Sequence, residues 1–145
     1  MAGSAVVAAK SALVNALAGR PGLADVAVSY AWPGDALERV ALYLGNVTGR
    51  HDPAGMRAGR KSRDEEFVVE VFVEVRADGE PQEVADERAV AVAREVEDAL
   101  ADDPTLASSS LLWARVETYE LRQSATTEGR WAGVRLGVRC RSRLA

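Results

Sequence analysis

An α+β fold is predicted, with two helices packed on a largely antiparallel sheet of about five strands, and three features of the chain predict it. Phe67, Val69, Val71, Val73 and Val75 recur every second residue, the period of a strand with one buried face. Ala85, Ala89, Val92, Val96, Ala99 and Leu100 recur instead at helical spacing, forming one apolar stripe. Ala132, Val134, Leu136, Val138 and Cys140 return to period two, alternating with Gly133, Arg135, Gly137, Arg139 and Arg141. The expected order is α-β-β-β-α-β-β, with a single domain over residues 1–145.

Residues 3–18 form the first expected helix, with Val6, Ala9, Leu13, Ala16 and Leu17 on its inner side and Ser4 as N-cap. Gly19-Arg20-Pro21-Gly22 stops it. A short strand over 26–30 is broken by Trp32-Pro33-Gly34-Asp35, a turn sequence. Residues 39–47 alternate as a second strand. Residues 49–63 lack periodicity and contain Gly49, Pro53, Gly55 and Gly59, which predicts an extended loop before the strand over 66–76. Residues 81–102 are the clearest helix, opened by Pro81 and by acids that suit its positive N-terminal end. Two long strands, about 111–122 and 131–142, close the chain through a polar turn near 126–129. Open sheets leave edges that must be covered or paired, so oligomerisation is expected.

At 145 residues the chain can bury a core without metals or disulfides, and its single Cys140 excludes an internal disulfide and a cysteine metal cluster. No run approaches the ~20 apolar residues of a membrane helix, so no membrane partner is expected. The N-terminal stretch lacks a basic leader, and Lys10 and Asn15 interrupt its apolar run. An amphipathic helix in a cytoplasmic chain is therefore expected. The net charge of -4 is unevenly placed: residues 64–104 are acidic, while both flanking segments are basic. Solvation of the second helix accounts for part of this pattern; surfaces that meet other surfaces, including copies of the chain, account for the rest.

No catalytic set is expected. His51 beside Asp52 lacks a third ligand or a nucleophile, and Cys140 falls on an apolar strand face. Asp64, Glu65 and Glu66 lack calcium-loop spacing and read as solvated charges at a strand entrance. Gly55 and Gly59 do not make a phosphate loop, and Ser108-Ser109-Ser110 reads as a strand approach. No cofactor follows from any of these. The functional candidates are instead the basic residues Arg50, Arg57, Arg60, Lys61 and Arg63 of the expected loop, and Arg135 and Arg139 of the last strand. Trp32, Trp113 and Trp131 suit either sheet packing or a subunit interface, where Trp and Arg are enriched. The basic loop could meet nucleic acid phosphates. It has no aromatic on which a base could stack, and an acidic protein surface suits it at least as well.

The segments LAGRPGLADVAVSYAWPG, LERVALYLGNV, MRAGRKSRDEEFVVEVFVEV, ERAVAVAREVEDALADDPTL, LLWARVETYEL and GVRLGVRCRSRL together resemble a phage family. It is that of the small tail-terminator (tail-completion, or minor tail) proteins of long-tailed actinobacterial bacteriophages and prophages. The likeness is one of order and segment character over nearly the full length. It implies a non-enzymatic virion subunit at the tail–neck junction, assembled in the host cytoplasm as a ring, typically a hexamer. That ring would cap the tail tube protein, present a surface to a head-completion or neck protein, and let DNA pass without specific binding. Another head–tail joining protein and a nucleic-acid-binding module are the alternatives. The interface expected on this reading uses Arg50, Arg57, Arg60, Lys61, Arg63, Trp32, Trp131, Arg135 and Arg139.

Overall fold

The computed structural model describes residues 3–34, 39–53, 63–126 and 129–144. Helix α1 spans Val6–Ala18, strand β1 Ala27–Ser29, β2 Val40–Pro53 and β3 Arg63–Ala77. Helix α2 spans Gln82–Asp102, and β4 (Trp113–Thr126) and β5 (Gly129–Leu144) complete the fold. The α+β class, both helices and the five-stranded sheet are as expected. The order gains a 3₁₀ turn, Pro21–Leu23, between α1 and β1, where Pro21 supplies the φ such a turn needs.

The sheet order is β1-β2-β3-β5-β4. β1 runs parallel to β2 over 41–43 only, and every other neighbour is antiparallel. Both helices cover one face. Ala9, Leu13 and Leu17 of α1 and the full predicted stripe of α2 join Phe67, Val69, Val71, Val73 and Val75 in one core cluster. Burial in β3 alternates as its sequence demands. Each such side chain removed from water contributes about 1.5–3 kcal/mol, which makes β3 the backbone of the core.

The expected loop over 49–63 is corrected at both ends. Residues 49–53 and 63–65 are strand, paired from Gly49↔Phe67 through Pro53↔Arg63. Gly49 marks a close backbone approach, since a Cβ there would lie 2.7 Å from the Glu66 carbonyl oxygen. Its glycine signals packing inside a ladder instead of a turn. Ser4 is not the N-cap of α1; Ala5 is. Ser4 Oγ accepts the Val6 N–H at 3.1 Å, and the Ala5 N–H donates to Glu65 Oε1 of β3 at 2.8 Å. A carboxylate from across the core thus closes the helix end that no local side chain fully satisfies.

Candidate functional site

The face of the sheet away from the helices is a cross-strand ion-pair ladder. β5 places Arg135, Arg139, Arg141 and Arg143 on this face, and β3, hydrogen-bonded beside it, places Asp64, Glu66 and Glu70 there. Arg141 binds Asp64 at 2.7 Å and Glu66 at 2.8 Å, while Arg143 binds Asp64 at 2.9 Å. Arg139 holds Glu117 of β4 at 2.7 Å and Glu66 at 3.1 Å. Arg135 sits between Glu70 and Glu120. Hydrogen bonds from Arg143 and then Arg141 hold Asp64 below the usual carboxylate range; those from Arg141 lead the same effect on Glu66. Farther along the face Tyr43 stacks on Phe72 at 5.3 Å and donates to Glu74 at 2.9 Å. Burial, then that carboxylate, pushes its phenol up to about 12.

Two expectations change. The outer side of β5 does not make a basic face, because the acidic block of β3 lies directly beside it and answers its charge. Asp64, Glu65 and Glu66 are not solvated entrance charges either: Asp64 and Glu65 are buried and Glu66 is largely covered. Both corrections share one cause. Sequence blocks of opposite sign that alternate along the chain become neighbouring strands in an antiparallel sheet.

The expected interface residues scatter. Arg135 and Arg139 are held within the ladder. Trp131 is half-buried and lies over Gly133, where a Cβ would come within 2.6 Å of its indole. Trp32 is 60% exposed in the segment after β1. Arg50, near the end of β2, is exposed and ion-paired with Asp52 at 3.5 Å and Glu66 at 3.3 Å; Arg63 is exposed at the start of β3. Arg57, Arg60 and Lys61 lie outside the described residues. Trp113 carries the Arg115 guanidinium over its ring at 4.8 Å. His51 lies in β2 opposite Glu65, and Cys140 is buried in the core, where burial pushes its thiol up to about 12. Among the described residues no group of His, Cys, Asp or Glu could hold a metal, and no helix is long and apolar enough to cross a membrane.

What sequence reasoning missed is the pair of flanks. β4 is an edge along its whole length, and β1 covers only 41–43 of β2, leaving residues 44–53 as the opposite edge among the described strands. Large exposed hydrophobics collect beside these edges. Tyr119 (78% exposed), Leu121 and Val90 (51%) border a groove of about 450 Å³ between β4 and α2. Tyr30 and Trp32 follow β1 on the other side, with Lys10 of α1 4.2 Å over the Tyr30 ring. The signal was present: Tyr119 and Leu121 stand among the polar residues 117–124 of β4.

Among solved structures, the chain is similar to a chain in the virion of a native gene transfer agent particle. The TM-score is 0.67 at 21% identity, covering 97% of this chain and 100% of that one. At that identity the likeness establishes the fold. No protein-family model matches the chain, and no curated protein matches it.

Proposed function

We propose that this protein is a structural subunit of a phage-type virion and, more narrowly, a tail terminator that assembles as a ring on the end of the tail tube. The observation that carries the proposal is the fold shared with a virion chain over nearly the whole of both molecules. Two unlike flanks on one subunit add support, since a heterologous contact that closes makes a ring. On this reading the chain is one domain, the ring is a hexamer, and its partners are the tail tube protein and a head-completion or neck protein. Its action is steric: a ring seated on the tube end hides the surface that the next tube ring would use. The residues assigned to subunit or tube contact are Arg50, Arg57, Arg60, Lys61, Arg63 and Trp32. Trp131, Arg135 and Arg139 belong to the same assignment, and DNA passes through the channel of the ring without specific binding. The site of action is the tail–neck junction of the virion.

A neck protein is the runner-up, because such subunits share size and ring symmetry. A nucleic-acid module is disfavoured by the ladder, where every β5 arginine named above meets a carboxylate of β3 or β4. The test is tail assembly with Arg57, Arg60, Lys61 and Arg63 all changed to Ala. The expected result is a folded subunit that fails to cap, giving overlong or headless tails. Normal tails would remove the basic segment from the account. DNA binding with a steep salt dependence, lost in the same variant, would favour the nucleic-acid reading.

A further inference from the structure

We infer that neighbouring copies join edge to edge, β4 of one against residues 47–53 of β2 of the next, so that the sheet runs continuously from subunit to subunit. The inference rests on the ring reading above and specifies its interface. Strand direction is the first argument. β2 and β5 run one way, β3 and β4 the other. A second copy set beside β4 with its helices on the same side therefore presents β2 antiparallel to β4, the pairing that makes the straighter hydrogen bonds.

The free stretches also lie level. Arg115 of β4 is opposite Arg139, Arg139 opposite Val68, and Val68 opposite Thr48 of β2. Residues 113–116 precede the bulge of β4, and 47–53 follow the bulge of β2, so both are regular ladders at the same height. β1 stops short of this height, pairing at 41–43. Both stretches leave one side of the strand without a neighbour among the described residues, a row of backbone donors and acceptors suited to another strand.

Apolar surface and charge match along the same line. A groove of about 500 Å³ beside residues 113–116 is lined by Leu100, Ala101, Pro104, Trp113 and Val116. On the opposite flank Val7 is 66% exposed, one helical turn before Lys10, at the end of α1 that Glu65 ties to the height of His51. Side-by-side copies bring that Val7 toward the groove. Glu97 of α2, exposed, lines this groove together with Arg115. The β2–β3 end of the incoming copy carries exposed Arg50 and Arg63. Glu97 on one flank thus faces base on the other.

Disulfide trapping tests the pairing in the full chain with Cys140→Ser. Three double variants sample the level register and a two-residue slip either way: Arg115→Cys with Thr48→Cys, Arg115→Cys with Arg50→Cys, and Trp113→Cys with Thr48→Cys. Facing residues of an antiparallel pair bring Cα atoms within disulfide reach. Oxidation of one double variant should deplete monomer and give a ladder of linked species ending at ring size, with the single variants staying monomeric on a denaturing gel. Rings by electron microscopy but no trapping in any double variant would overturn edge pairing and leave the ring standing. Dimers from Arg115→Cys alone would also overturn it, because that product joins two β4 edges. Absence of rings both in solution and on tube ends would remove the ring reading and the edge pairing together.

Discussion

The two faces of the sheet use the same alternating sequence in opposite ways. On the helix side, Phe67, Val69 and Val71 of β3 and Leu136 and Val138 of β5 are buried by shape and apolarity alone. On the open side, the residues between them are satisfied only by specific partners: Asp64 by Arg141 and Arg143, Glu66 by Arg139 and Arg141. One face tolerates any well-fitting hydrophobe. The other depends on which strand lies next to which. Arginine content therefore says little about available positive charge here.

Substitutions can break that contrast, and truncating the helix face costs most. Phe67→Ala should destabilise the protein by about 3–5 kcal/mol, read from the denaturation midpoint at neutral and acid pH alike. Glu65→Ala should follow with a loss of about 1–3 kcal/mol, because it leaves the buried Ala5 N–H without its acceptor. A change confined to the loss of surface charge would leave stability nearly untouched and contradict the helix-closing role.

The open face should declare itself through pH. Asp64 and Glu66 titrate below their ordinary values of 3.8 and 4.5 in the folded protein, so the stability they contribute is present above those values. It is lost as pH falls through the lowered folded values. Wild type should therefore lose Tm below about pH 4.5. Asp64→Asn should start lower at pH 7, by about 2–4 °C, and lose less on acidification. Parallel curves for the two proteins would mean that the ladder does not stabilise the fold. The smallest effect is expected from Ser142→Ala. Ser142 Oγ is buried without a hydrogen-bond partner among the described residues, and removing it should be neutral or stabilising by up to ~1 kcal/mol.

Much of the fold was legible because periodicity reports burial. The α2 stripe is buried as expected, and the alternation of β3 and β5 places the right residues inside. Punctuation misled at residues 49–53, where glycine and proline looked like a loop and the long partner strand carried the ladder through. Parity could have found Glu65, an acid in phase with Phe67 and Val69 and so destined for the core side. The ladder needed knowledge of strand order, which no local pattern contains. The flanks were half legible, through Tyr119 and Leu121, but which strands end a sheet is a global property of the fold.

The central claim is that this chain closes into a ring on the end of a tail tube. Negative-stain electron microscopy of the purified protein mixed with tail tubes tests it most directly. Closed rings seated on tube ends that no longer elongate are the predicted result. Bare, still-growing tube ends beside a strictly monomeric protein would contradict it.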